Sequence, residues 1–94
     1  MDSQTYASLV LLLFIRNFDK ENVPSIKLLV ELTDRLAEKF GHNVNISNMT
    51  KYNTINKLIK NDILQSTNVN GLQIISLSNQ VRTYIDTNIT MVID

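Results

Sequence analysis

Amide and ammonium side chains are concentrated in one stretch of the chain, SNMTKYNTINKLIKNDIL (residues 47–64). Wound as a helix at 100° per residue, the stretch places most of its polar residues on one side and its apolar residues on the other. An Asn amide can pair with N6 and N7 of adenine, and a Lys ammonium can bind a phosphate. The residues suited to this chemistry are Thr50, Lys51, Asn53, Asn56, Lys57 and Lys60, with Lys51 at the margin of the apolar stripe. The alternative interpretation is an ordinary solvated helix surface.

The charge of the chain is balanced overall but not along its length. Lys and Arg number 9, as do Asp and Glu, so the formal net charge is zero. Residues 41–65 contain three lysines and one acid, Asp62, whereas the segment before them carries Glu31, Asp34 and Glu38. This distribution predicts a basic face and an acidic back. Because few phosphates would be neutralised, it also predicts weak non-specific affinity for nucleic acid.

Other site chemistries lack their residues in this sequence. Cysteine is absent, which excludes disulfides and thiolate metal sites and suits a reducing compartment. The one histidine, His42, follows Gly41 in a polar turn without a second ligand set. There is no nucleophile paired with a base, no Gly-rich phosphate loop and no metal-spaced cluster. The sequence therefore predicts a cytoplasmic protein that is not an enzyme and that holds no metal or cofactor.

Three helices are predicted to position the polar face. The first covers about residues 4–17 with Ser3 as its cap, and the second runs over residues 24–41, where Gly41 is a good C-terminal stop. The third is the polar stretch itself, with Asn45 or Ser47 as its cap. Its apolar side is predicted to consist of Tyr52, Ile55, Leu58 and Ile59.

A hairpin and a last helix are predicted to follow. Asn70-Gly71 lies between two strand-like runs, and this dipeptide favours a type I′ turn because both central residues need positive φ. Pairing outward from the turn predicts a register with Val69 against Leu72, Thr67 against Ile74, and Gln65 against Ser76. Ser78 is then predicted to cap the final helix.

This order of elements resembles the winged helix-turn-helix superfamily, in particular regulators of the MarR and PadR type. The segment LTDRLAEKFG (residues 32–41) is similar to their second helix, and ISNMTKYNTINKLIKNDIL (residues 46–64) to their recognition helix. The segment LQIISLSNQVRTYI (residues 72–85) is similar to their second wing strand and last helix. Two departures are Asp62, where the family usually has Gly, and a wing without Arg or Lys.

The resemblance covers roughly residues 24–90 and implies a winged-helix fold, mainly α with a small β-hairpin: three helices, a β wing and a C-terminal helix. Because no repeat or linker divides the chain, one such domain is expected over residues 1–94. The resemblance also implies that the third helix reads double-stranded DNA, as in a transcriptional regulator or a plasmid or phage site-binding protein. Asn68 and Asn70 of the wing are then expected to contact the adjacent minor groove or backbone. The alternative is a winged-helix protein–protein interaction module that does not bind DNA, which the neutral charge and the uncharged wing favour.

The apolar run Leu9–Ile15 wraps the full circumference of the first helix. It is far shorter than the roughly 18 residues that a membrane span needs, so no membrane contact is predicted. A helix that is apolar all round must be covered on all sides, which predicts one face in the core and another in a homodimer. The expected interface residues are Leu9, Leu12, Leu13, Tyr84, Ile85 and Ile89.

Overall fold

The helical bundle and the hairpin follow the predicted order in a computed structural model that describes residues 1–16 and 23–84. The structure is mainly helical with one small antiparallel hairpin, which is a winged-helix-like layout. The elements are α1 (Ser3–Arg16), α2 (Ile26–Lys39), α3 (Asn48–Lys60), β1 (Leu64–Val69), β2 (Leu72–Leu77) and the helical residues 79–84, here α4. None of the helices in these described ranges is both long and apolar enough to cross a membrane.

Each helix start is stabilised by a short polar side chain. Ser25 accepts a hydrogen bond from the backbone N–H of Leu28 at 3.0 Å, and Ser47, one of the two predicted caps of α3, accepts from Thr50 at 3.1 Å. Ser78 caps α4 as predicted, with a 3.2 Å bond from the N–H of Val81. These bonds satisfy backbone donors that have no partner inside the helix.

The predicted cap of α1 is wrong by one residue. Ser3 is the first helical residue, and the carboxylate of Asp2 accepts the N–H of Thr5 at 2.8 Å instead. Asp and Ser are similarly effective at this position, so the sequence signal did not separate the two neighbours. The hydrogen bonds from Thr5 lower the pKa of the Asp2 carboxyl.

Two helices end in the same backbone motif with different residues. At the end of α2, His42 donates its N–H to the carbonyl five residues earlier at 2.9 Å, and Ile63 does the same at the end of α3. This Schellman motif requires a left-handed residue just past the helix. Gly41 has that conformation at φ 78° and Asp62 has it at φ 60°. The residue that departs from the winged-helix pattern therefore occupies the conformation for which Gly is favoured.

The hairpin has the predicted register and turn. Val69 pairs with Leu72, and the pairing continues to Leu64 opposite Leu77. Asn70 and Gly71 have φ values of 52° and 82°, as a type I′ turn requires.

A third backbone segment pairs with the base of the hairpin. Val23 exchanges two backbone hydrogen bonds of 2.8 Å with Ile75, on the side of β2 away from β1. A single bridging residue has no alternating pattern, so sequence analysis placed no strand there. The bridge connects the chain just before α2 to the hairpin of β1 and β2 (residues 64–77), which is called the wing below.

The core lies where α1, α2 and α3 meet the base of the hairpin. Its fully buried residues come from every one of these elements: Tyr6, Val10, Leu29, Ile55, Leu64 and Ile75. The side chains of α3 that face this core fix which side of the helix remains exposed.

Candidate nucleic-acid interface

The side of α3 opposite the core carries the predicted polar face. Ile55 and Leu58 are 0% and 8% exposed, which anchors the helix in the core. The exposed residues on the other side are Asn53, Asn56, Lys57 and Lys60. They recur at spacings of three and four, so their side chains line one stripe of the helix surface. Two amides and two ammonium groups are thereby presented together to solvent.

Met49 extends this stripe toward the start of α3, although it was not among the predicted site residues. Its side chain is 73% exposed, the most exposed large apolar side chain in the part of the chain that the structure describes. The helical wheel was sufficient to find it, because Met49 precedes Asn53 by four residues and Asn56 by seven. An apolar group beside the amides adds a surface that can contact the methyl group of thymine.

Lys51 does not lie on this face. It is 7% exposed, and its Nζ donates to Oδ2 of Asp34 on α2 at 2.8 Å. Its position beside the apolar stripe buries the alkyl stem, and an ammonium in that environment requires a partner. Lys51 therefore stabilises the packing of α3 against α2 and is not presented for the predicted phosphate contact.

The same carboxylate holds a third helix. The Tyr6 hydroxyl on α1 donates to Oδ1 of Asp34 at 3.1 Å, while Lys51 occupies the other oxygen. Burial of Tyr6 and, secondarily, the negative charge of Asp34 raise the pKa of the phenol. Sequence analysis placed Asp34 on the surface, because the local pattern of α2 does not indicate its partners Tyr6 on α1 and Lys51 on α3. This network fixes α2 against α3 and so determines how the polar face is presented.

Thr50 lies at the edge of the polar face and is only partly available. It is half-buried, and its hydroxyl lies 2.9 Å from the hydroxyl of Ser47, which caps the helix. Its carbonyl accepts the Thr54 hydroxyl at 2.7 Å. The predicted base contact by Thr50 would therefore have to share its hydroxyl with the helix cap.

The wing exposes two chemically different faces. Ser66, Asn68 and Gln73 share one face, where Gln73 Nε2 donates to Ser66 Oγ at 3.0 Å. Val69 and Leu72 share the other and are 48% and 56% exposed. The two predicted wing contacts, Asn68 and Asn70, are both exposed. Residues 63–81 contain no charged side chain, so the wing offers amides but no cation.

The predicted dimer surface is divided by the structure. Leu9 and Leu13 are 6% and 7% exposed within a single chain, because α1 packs against α2, α3 and β2. Leu12 is half-buried and Tyr84 is 69% exposed, while Ile85 and Ile89 lie outside the described residues. Leu9 and Leu13 are therefore core residues, and they do not supply the uncovered apolar surface from which a homodimer was predicted.

His42 is exposed in the loop after α2. Within residues 1–16 and 23–84, no group of three His, Cys, Asp or Glu side chains is arranged to hold a metal ion.

No known family model matches this chain, and no curated protein or solved structure is significantly similar to it.

Proposed function

We propose that this protein binds double-stranded DNA sequence-specifically through the exposed face of α3. The observation that carries the proposal is the stripe of two amides and two lysines opposite buried Ile55 and Leu58. A helix is the element that fits the major groove, where base edges are distinguishable. The role that follows is that of a cytoplasmic transcriptional regulator or a plasmid or phage site-binding protein.

The residues of the stripe would make two kinds of contact with DNA, to base edges and to phosphates. Asn53 and Asn56 would pair with adenine N6 and N7, and Lys57 and Lys60 would contact phosphates and fix the register. The sequence of α3 contains no acidic residue that would repel the phosphate backbone. The amides of Asn68 and Asn70 would contact the sugar–phosphate backbone or the adjacent minor groove.

Two exposed lysines give one copy of α3 a small electrostatic contribution. Each neutralised phosphate contributes about −0.9 to the salt slope, so two contacts give roughly −2. A homodimer on a pseudo-palindromic site would double this contribution and place its two α3 helices about 34–36 Å apart. We therefore propose that the protein binds DNA as a homodimer, through an interface that does not involve the buried Leu9 and Leu13.

The first test compares two double variants on the same DNA. Duplexes are enriched from a random library on the purified wild-type protein, and binding of the enriched duplex is followed by fluorescence anisotropy. Asn53→Ala with Lys57→Ala should weaken binding about 100-fold or more, since a lost bidentate contact and a lost phosphate contact together cost about 3 kcal/mol. The control is Lys27→Ala with Asn79→Ala, which removes the same two chemical groups from exposed positions outside α3.

The control variant should bind as the wild type does, and both variants should unfold at nearly the wild-type temperature. Equal affinity of the α3 variant and the wild type for the enriched duplex would refute DNA reading by α3. Failure of the wild type to enrich any duplex would refute the proposed function itself.

A second candidate function is protein–protein interaction without DNA binding. It is favoured by the exposed apolar residues Met49, Val69 and Leu72, and by the absence of any cation on the wing. Salt separates the two candidates, because DNA binding through Lys57 and Lys60 weakens with ionic strength at a slope of roughly −2 per subunit, whereas an apolar contact hardly responds. Enriched duplexes whose affinity does not fall with salt would contradict the phosphate contacts of Lys57 and Lys60, whereas failure to enrich any duplex would favour this alternative.

A further inference from the structure

An open groove lies between the C-terminal halves of α1 and α2. Its volume is about 280 Å³. Leu13, Leu32 and Leu36 form its apolar lining, and Leu32 and Leu36 are only half-buried. The remaining lining residues are the cations Arg16, Arg35 and Lys39. The groove therefore combines a leucine floor with a basic rim.

The three cations have no carboxylate partner in the part of the chain that the structure describes. Among the described residues, the ion pair found is that between Lys51 and Asp34, so none of the three lies within 4.0 Å of a carboxylate there. The Arg16 guanidinium stacks over the Phe40 ring at 5.2 Å from its centroid, which restricts the guanidinium at the end of the groove. Phe40 is itself 47% exposed.

Helix stability accounts for only part of this basic rim. Arg16 and Lys39 lie in the last turns of α1 and α2, where a cation offsets the partial negative charge of the helix end. Arg35 lies one turn earlier, where Glu31 four residues before it offers only the weak support of an exposed i,i+4 pair, and the two do not form an ion pair in the structure. Arg35 is exposed beside the half-buried Leu32 and Leu36, whereas Lys51 on α3 is buried and paired with Asp34.

We propose that this groove binds an acidic amphipathic helix of a partner protein. Leucine or similar side chains of the partner would cover Leu32 and Leu36, and its carboxylates would pair with Arg35 and Lys39. Charge complementarity selects this partner: an apolar floor alone accepts many segments, but a rim of three cations repels basic ones and attracts acidic ones. Guanidinium groups also bind carboxylates in a two-pronged geometry that ammonium groups cannot reproduce.

The groove and the polar face of α3 are on different flanks of α2. Asp34 points toward α3, and Arg35 and Lys39 are about 100° and 140° around the helix from it at 100° per residue. A partner in the groove would therefore leave the α3 face uncovered. The proposal does not depend on DNA binding, and it gives a DNA-binding domain a place to receive a second protein.

The probe for this inference is a synthetic fluorescent peptide of about four helical turns, with Leu on one face and Glu on the others. It is titrated against the full chain by anisotropy, and its contacts are mapped by amide shifts in two-dimensional NMR. The expected result is saturable binding that shifts the amides of Leu32, Leu36 and Arg35. A peptide with the same glutamates but Ser in place of Leu should bind at least about tenfold more weakly, because the floor loses its apolar partner.

The matched variants are Arg35→Glu and Lys27→Glu, two charge reversals at exposed positions of the same helix. Arg35→Glu should weaken the acidic peptide about tenfold or more through like-charge repulsion, and Lys27→Glu should leave it nearly unchanged. Circular dichroism on both variants, with Arg35→Gln as a milder change, separates lost binding from lost folding.

Three outcomes would overturn the proposal. One is the absence of saturable binding at millimolar peptide, and another is equal weakening by Arg35→Glu and Lys27→Glu, which indicates general charge attraction. The third is loss of affinity for a library-enriched DNA duplex in Arg35→Glu without any effect on the peptide, which assigns the basic rim to phosphate binding. Because the peptide titration contains no DNA, its result is independent of the tests of α3.

Discussion

The third helix and the wing adjoin in sequence, yet they are held by different interactions. α3 is anchored by Ile55 and Leu58 in the core and by the Lys51–Asp34 ion pair across to α2. Within residues 1–16 and 23–84, the outer half of the wing is held by its own strand pairing and by a side-chain bond between Gln73 and Ser66. The anchored element carries exposed cations, and the projecting element carries none. A fixed, charged helix suits register and base reading, whereas an uncharged ribbon contributes contacts without long-range attraction.

The largest expected effect comes from removing the anchor of α3. Asp34→Ala leaves the Lys51 ammonium nearly buried without its partner, and the free energy of unfolding should fall by about 2–4 kcal/mol, since Asp34 is itself partly exposed. Urea denaturation measures the change, with Glu38→Ala on the exposed side of α2 as the control. Adding Lys51→Met to Asp34→Ala should restore part of the loss, because the unpaired charge is removed.

Hydrogen exchange then compares the two regions in the Asp34→Ala variant. Amides of α3 should exchange faster than in the wild type, while those of the outer wing should change little. An Asp34→Ala protein as stable as the Glu38→Ala control would show that the ion pair does not hold α3.

The hydrogen bond from Tyr6 on α1 to Asp34 can be tested at alkaline pH. The pKa of Tyr6 is raised in the folded chain above its ordinary value of 10.0, so the protonated phenol contributes stability that is fully present below that pH. This contribution is lost as the pH rises above about 10, because the unfolded chain then releases the proton more readily. Stability measured from pH 8 to 11 should therefore decline less in Tyr6→Phe than in the wild type. Parallel declines in the two proteins would contradict the assignment.

The smallest expected effects are of opposite sign at Asp62 and Gly71, two positive-φ positions on either side of β1. Asp62→Gly, at the junction between α3 and the wing, should raise the free energy of unfolding by about 0.5–1 kcal/mol, since Gly adopts φ 60° without steric cost. Gly71→Ala, in the turn of the wing, should lower it by about 1 kcal/mol for the same reason at φ 82°. No atom lies within 4 Å of the added Cβ, so the backbone alone sets the cost. Thermal denaturation measures both, and changes of the same sign would refute this explanation.

The features that could be predicted from the sequence are those specified by residues close together along the chain. The Asn70-Gly71 turn and its register are local, because the turn chemistry and the alternation of a few residues specify them. The Ser47 and Ser78 caps are local for the same reason. The exposed stripe of α3 required only the helical period and the choice of its apolar side.

Features that depend on the relative placement of elements could not be predicted. The burial of Lys51 is determined by the approach of α2, which brings Asp34 to its ammonium. Leu9 and Leu13 are buried because α2, α3 and β2 together cover more of α1 than its periodicity alone indicates. The groove beside Leu32 and Leu36 likewise arises from the packing of two helices and has no signature in either helix alone.

The bridge between Val23 and Ile75 has a consequence for the order of folding. The hairpin closes through neighbours in sequence, and such hairpins form in roughly 1–10 μs. The bridge joins residues on either side of both α2 and α3, so its formation closes the whole segment that contains these two helices. Formation of a non-local contact is slowed by the entropy of closing the long intervening chain. We therefore expect the wing to gain its shape early in folding and its fixed orientation on the domain later.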